Sequence, residues 1–221
     1  MCDRSVYQGI GDRSTLNAFT RRDVIIVIFV CVLLCGLAWP FINRTRRVRA
    51  YVDCSANLKF IGFGVREFAN DHGDLAPWNI STNQGGTLEF GILGEQTFRH
   101  FQVLSNYINQ WHFLICPQDT RKIANNWEDL GNTNISYFIG LGGKPSLAMS
   151  ILAGDRNISL NSSFILESSP STPPRWIRSI GLHGDEGHAV FGDNHVETLS
   201  SAGLSNAIQR TGVGVDMFAI P

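Results

Sequence analysis

Apolar positions in this chain follow two different regimes in succession. From Val24 to Ile42, nineteen consecutive residues carry no charge and no strongly polar side chain. A helical run of that length has no polar face for about five turns. At about 1.5 Å per residue it reaches roughly 28 Å, close to the hydrocarbon thickness of a bilayer. The pattern predicts a membrane-spanning helix. The period then changes without a break: Tyr51, Cys54, Leu58, Ile61, Val65 and Phe68 follow at spacings of three, four, three, four and three. That is one face of an amphipathic helix, with Arg49, Asp53, Lys59, Arg66 and Glu67 at other positions. Gly62 and Gly64 each weaken it by about 1 kcal/mol relative to Ala, so its last turns rely on packing. The stretch from Asn70 to Asp74 supplies a stop and Pro77 forbids continuation. A single helix from Val24 to about Asn70, roughly 70 Å long and bent at Pro40, is predicted.

Beyond Trp78 the chain is rich in loops with short strand-like runs. "TLEFGIL", "WHFLICPQD", "NISYFIGL" and "SILAGDRNIS" read as strand candidates, and "FRHFQVLSNYI" as a short helix. "ESSPSTPPRW" reads as a loop. In "HAVFGDNHVETLS" two short runs flank Asp193-Asn194, a dipeptide suited to a tight hairpin turn. "SAGLSNAIQRTG" reads as a terminal helix with Ser200 or Ser201 as cap and Gly212 as stop. The fold class expected is α+β: one long helix, transmembrane and then amphipathic, packed on a small antiparallel sheet with long loops. The expected division is a polar leader over 1–18, a membrane helix over 19–42, its continuation over 43–70, and an α+β domain over 71–221.

Composition then changes the picture. A length of 221 residues and a net charge of −1 suit one globular domain plus extras. The preface carries Asp3, Arg4, Asp12 and Arg13, too long and polar for a secretory signal's basic start. Trp39, Pro40 and Phe41 stand where a signal peptide would have its small residues, so the apolar run is expected to be retained. Arginines flank the run on both sides, Arg21 and Arg22 before it and Arg44, Arg46, Arg47 and Arg49 after it. Charge alone therefore leaves the topology open, with a slight bias toward an inside domain. The second cluster also suits anionic lipid headgroups. Finally, Cys54 and Cys116 are the only cysteines after the membrane run. The pair is compatible with one disulfide and an oxidising compartment, or with two buried free thiols. A Cys54–Cys116 bridge is expected, because Cys54 lies on the apolar stripe and Cys116 ends the apolar run "WHFLI".

Several of these stretches, in this order, resemble the type IV pilin-like proteins, or pseudopilins, of the prepilin-type subfamily abundant in Verrucomicrobia and Planctomycetes. Ala18 stands before Phe19-Thr20, where the family has Gly before the cut and then Phe-Thr-Leu-Ile-Glu. Asp23 occupies the place of the family's Glu, and Pro40 that of its helix-bending proline. "CSANLKFIGFGVREFANDHGDLAPW" resembles the family's Cys-x-x-Asn-Leu-Lys-x-Ile-Gly helix and its exit, and "LICPQD", "SYFIGL" and "ILAGDRNI" match later landmarks. Arg21 and Arg22 depart from the recognition motif by replacing apolar residues. The resemblance implies a processing site at Ala18-Phe19, a prepilin peptidase as a partner, and assembly with other pilin-like subunits. It also implies a bacterial inner-membrane anchor with an extracytoplasmic domain. Asp23 would meet the free α-amino group of a neighbouring subunit's first residue; alternatively it sits in the interface zone beside Arg21 and Arg22.

One segment invites different chemistry. "GLHGDEGHAVFGDNHVE" holds His183, Asp185, Glu186, His188, Asp193 and His195. Imidazoles with a carboxylate can hold zinc, so His183, His188, Asp193 and His195 are candidate metal ligands. The spacing matches no helical His-Glu-x-x-His arrangement. His183 with Asp193-Asn194 also matches a His, nine residues, Asp-Gly signature of the resembling family, with Asn in the Gly position. The plainer expectation is a polar hairpin in which Asp193 serves the turn. No nucleophile elbow, phosphate loop or dinucleotide fingerprint is present, and "GLGG" lacks the Lys-Ser/Thr that would complete a phosphate loop. A non-enzymatic subunit is expected, with no cofactor, no catalytic residue and no nucleic-acid partner. A single-pass envelope enzyme with a metal site is the alternative.

Overall fold

A computed structural model describes residues 20–91, 93–159, 165–168, 173–178, 182–211 and 216–221. The leader, with the expected processing site at Ala18 and Phe19, lies outside the described residues. Helix α1 runs from Arg21 to Asp71 with Pro40 inside it, in agreement with the predicted span. The chain divides between Arg46 and Arg47 into two units.

In the first unit the apolar side chains of α1 are exposed on every side, from Val24 through Leu33, Leu37 and Phe41 to Ile42. A helix that is apolar all round and uncovered by the other described residues suits an apolar medium. By length and composition α1 can cross a membrane.

In the second unit the later part of α1 belongs to the core. Cys54, Leu58, Ile61, Val65 and Phe68 are all buried, the stripe the three-four spacing predicts. They face an antiparallel sheet of β1 (Tyr137–Gly140), β2 (Ile151–Asp155), β3 (Ile165–Ser168), β4 (Glu186–Phe191), β5 (Val196–Ser200) and β6 (Asp216–Ala219). The strand order is β3-β6-β1-β2-β4-β5 and every pairing is antiparallel. Alternation along the strands sorts side chains into two layers. Tyr137, Ile139, Ala153 and Val190 join α1 in one apolar cluster. Phe138, Ile151, Ala189 and Phe191 point the other way, against Leu204, Ala207 and Ile208 of α3 (Ser201–Arg210). An irregularity between Ile151 and Ala153 shifts the β2–β4 register there. The Ser200 side chain caps α3 by accepting from the Gly203 N–H, as expected.

Two strand expectations are corrected. Within "WHFLICPQD", Trp111–Leu114 forms a short 3-10 turn, and within "TLEFGIL", Leu88–Phe90 does the same. β1 is paired on both edges, to β2 and β6, so no edge beside it remains for "WHFLI". That run instead lies over α1, where Phe113 stacks on Phe60 at 4.2 Å and Leu114 enters the core. "FRHFQVLSNYI" is helical as predicted, as α2 (Phe98–Gln102) followed by a 3-10 turn.

The close approach of α1 to the sheet explains Gly62 directly. A Cβ at Gly62 would collide with the Asn194 side chain and come to 2.6 Å from Val190 Cγ2. Asn194, at φ 70°, forms the β4–β5 turn, the role its place in Asp193-Asn194 predicts. The helix interior accepts a weak helix former at position 62 because the hairpin seats against its backbone.

Candidate metal centre

Five segments bring their ionisable side chains to one point beneath α1. Cys54 comes from the helix stripe, and Cys116 from the chain just after the 3-10 turn. Asp155 ends β2, His183 precedes β4, and His188 lies within β4. Tyr137 of β1 stands directly across from Asp155 in the strand register, so both project to the α1 side. All of these are buried: Cys54, Cys116, Tyr137 and Asp155 at 0% exposure, with His188 at 2% and His183 at 6%.

The contacts converge on the carboxylate and the sulfurs. The Cys54 thiol donates to Asp155 Oδ1 at 3.1 Å and lies 3.4 Å from the Tyr137 hydroxyl. Cys116 Sγ lies 3.4 Å from His183 Nε2. That same nitrogen is 3.5 Å from Asp155 Oδ2. His188 holds the carboxylate twice: its backbone N–H donates to Oδ2 at 2.7 Å, and its Nδ1 lies 2.9 Å from the same oxygen. Tyr51 closes the cluster from α1, its ring 4.4 Å from that of His183 and its hydroxyl donating to the His183 carbonyl. One ligand atom each from Cys54, Asp155, His183 and His188 falls within 4.8 Å of the others.

Burial and proximity drive the two thiols apart. Cys54 is pushed up, first by burial and then by its hydrogen bond with Cys116. Cys116 is drawn down to about 6, chiefly by that same hydrogen bond and, against burial, by His183. Tyr137, fully buried among these groups, is raised well above an ordinary phenol. For His183 burial acts to lower, but the Cys116 hydrogen bond and the Asp155 charge outweigh it and the net direction is up.

A nucleophilic triad needs its nucleophile and its orienting carboxylate on opposite imidazole nitrogens. Here Cys116 and Asp155 both face His183 Nε2. Nδ1 of His183 is buried with no partner among the described residues. The arrangement is convergent rather than relayed, which is the pattern of ligands around a centre.

The structure brings together only half of the metal set expected from sequence. His183 and His188 are in the cluster, but Asp193 and His195 are not: they sit at the β4–β5 turn, paired with each other and partly exposed. The His195 ring stacks on Phe191 and its Nε2 reaches Glu197 at 3.2 Å, so the turn reading of Asp193 holds. The ligand atoms sequence reading missed are those of Asp155, whose signal was an acid closing the otherwise apolar strand "ILAGD". Cys54 and Cys116, expected as a disulfide, are free thiols, the other arrangement the sequence allowed. Their sulfurs are engaged by Asp155, Tyr137 and His183, so the pair is adjacent without being bonded.

At the other end of the chain, Asp23 closes a capping box on α1. Its carboxylate accepts from the Thr20 backbone N–H at 2.9 Å and the Thr20 hydroxyl at 2.7 Å, while Thr20 Oγ1 accepts from the Asp23 N–H at 3.4 Å. Comparison of the chain with family models, with curated proteins and with solved structures returned no match to any of them.

Proposed function

We propose that this chain is a membrane-anchored, pilin-like structural subunit without enzymatic activity of its own. In this reading it assembles with like subunits through the apolar part of α1. The carrying observation is the double character of that one helix. Among the described residues, 24–42 are apolar and uncovered all round, while Cys54, Leu58, Ile61, Val65 and Phe68 enter the core of the sheet unit. Lateral packing of such helices in lipid, with a folded domain on each, is the architecture the resemblance to pseudopilins implies. The same reading places the anchor in a bacterial inner membrane, in a secretion or pilus-like apparatus, with the sheet unit on the extracytoplasmic side. A prepilin peptidase cutting between Ala18 and Phe19 belongs to it as well.

The buried cluster supports the structural reading over the envelope-enzyme one. A catalytic metal keeps a coordination position open to substrate. Every ligand atom here lies beneath α1 in residues at most 6% exposed. The test is a cysteine scan of positions 24–42 in a Cys2→Ser, Cys31→Ser, Cys35→Ser background that keeps the buried Cys54 and Cys116, with oxidative cross-linking in the native membrane. Adducts recurring on one helical face are expected, together with a mature N-terminus at Phe19. Absence of adducts around the full helical circumference, with Met1 retained, overturns the assembly reading and leaves a plain anchor.

A further inference from the structure

We propose that Cys54, Cys116, Asp155 and His183 hold one zinc-class divalent cation, with His188 positioning the Asp155 carboxylate. The site is independent of the assembly reading.

Geometry carries the ligand choice. With metal–sulfur bonds of about 2.3 Å and metal–nitrogen or metal–oxygen bonds of about 2.0–2.2 Å, a tetrahedral zinc separates its ligand atoms by roughly 3.3–3.8 Å. Cys54 Sγ to Asp155 Oδ1 is 3.1 Å, His183 Nε2 to Asp155 Oδ2 is 3.5 Å, and His183 Nε2 to Cys116 Sγ is 3.4 Å. These three separations lie within a few tenths of an ångström of that spacing, with the Asp155 carboxylate facing Cys54 through Oδ1 and His183 through Oδ2. The His188 Nδ1 to Oδ2 separation of 2.9 Å is instead that of a hydrogen bond, so His188 is assigned outside the ligand set. Two sulfurs, an imidazole and a carboxylate suit zinc or another thiophilic cation, and exclude magnesium and calcium, which take oxygen ligands.

A support shell is already in place. His188 gives the Asp155 carboxylate two donors, and the Tyr137 hydroxyl stands 3.4 Å from Cys54 Sγ, where it can donate to a thiolate. Donors of this kind orient ligands and offset their charge. Two thiolates and a carboxylate around a dication leave one negative charge, which these donors face. Binding leaves both sulfurs as thiolates and the His183 ring neutral, with the protons these groups held released to solvent, and no bond of the chain is made or broken. Without a cation, the same space gathers a carboxylate, two thiols and two imidazoles in the dry interior. Such grouping is costly unless something pairs with it.

The consequence is a clamp. The four ligands come from α1, the segment after the 3-10 turn, β2, and the segment before β4. One ion would tie the amphipathic part of α1 to the middle of the sheet.

The experiment uses the full chain, extracted from its membrane in detergent under anaerobic, chelator-free conditions. Elemental analysis should find one zinc per chain. Exchange into Co2+ should give the intense ligand-field bands of tetrahedral cobalt, with sulfur-to-cobalt charge transfer. Stripping with a chelator should lower the melting temperature, and adding Zn2+ back should restore it. Cys116→Ser and Asp155→Asn should lose the ion, while Asp193→Asn with His195→Gln at the exposed turn should keep it. Should those ligand variants fail to fold, the cobalt spectrum of the unaltered chain decides alone. A chain that takes up no Zn2+ with its thiols reduced, or one isolated with a Cys54–Cys116 disulfide, overturns the site. So does an octahedral cobalt spectrum.

Discussion

At the scale of single residues, Gly62 shows how an apparent weakness in a helix can be required by packing. In an exposed helix interior, Gly→Ala gains about 1 kcal/mol. At position 62 the added methyl would meet the Asn194 side chain and Val190 Cγ2. Both neighbours are held, Asn194 by its left-handed turn conformation and Val190 by strand β4. Overpacking of this kind costs about 1–3 kcal/mol. Gly62→Ala is therefore expected to lower the unfolding midpoint of the detergent-solubilised protein, reversing the sign that propensity predicts. A raised midpoint would mean that the hairpin moves aside freely and that α1 is not seated on it. The sequence showed both the glycine and the turn residue, but not that they meet. They lie far apart along the chain, and only the sheet register brings them together.

At the scale of elements, α1 was legible almost to the residue, because a charge-free run and a three-four stripe are long signals. β3 and β6 were not read as strands, and Glu167 and Ser168, which open the expected loop "ESSPSTPPRW", instead close β3. Each strand is four residues long, so each offers two side chains per face, too few to establish a period. β6 lies between β3 and β1, a placement fixed by partners distant in sequence. "WHFLI" failed in the opposite sense: a short apolar run fits a buried strand and a buried helical turn equally. The apolar part of α1 makes the element-scale prediction. Arginine at Val30 and at Leu33 should each cost about 2.5–3.5 kcal/mol at the centre of a membrane helix. The double variant is expected to shift from the carbonate-resistant membrane fraction to the soluble or degraded one. Retention of the double variant in washed membranes would show that residues 24–42 are not what holds the protein there.

At the scale of the whole molecule, both the cluster and its frame are built from segments that the sequence keeps apart. Sequence reading found the cysteines and His183 and His188 by residue type, yet placed the histidines with Asp193 and His195 because those are near neighbours in the chain. Asp155 joins them only because β2 pairs with β4 and with β1. One residue further on, Arg156 grips Asp119 through two hydrogen bonds, Nε to Oδ2 at 2.8 Å and Nη2 to Oδ1 at 2.7 Å. Asp119 also accepts from the Ser136 hydroxyl at 2.7 Å and from the Arg121 N–H at 3.2 Å. Arg121 in turn donates to the carbonyls of Asn132, Ile135 and Pro221. This network fixes the Cys116 segment to both central strands. The Asp119 side chain is fully buried and that of Arg156 nearly so. Burial acts to raise the Asp119 carboxyl, but its hydrogen bonds to Arg156 and Ser136 and the Arg156 charge hold it below the usual range. A carboxylate lowered on folding contributes stability that is full above the unfolded value of about 3.9, and that fades as pH falls through the folded value. Asp119→Ala leaves the Arg156 guanidinium without its anion, and breaking such a buried pair costs about 3–5 kcal/mol. The variant should therefore unfold at a lower midpoint at neutral pH and lose less of its remaining stability on acidification below about 4. Equal midpoints for the two proteins at neutral pH, or parallel acid limbs, would show that Asp119 does not hold the Cys116 segment against the sheet.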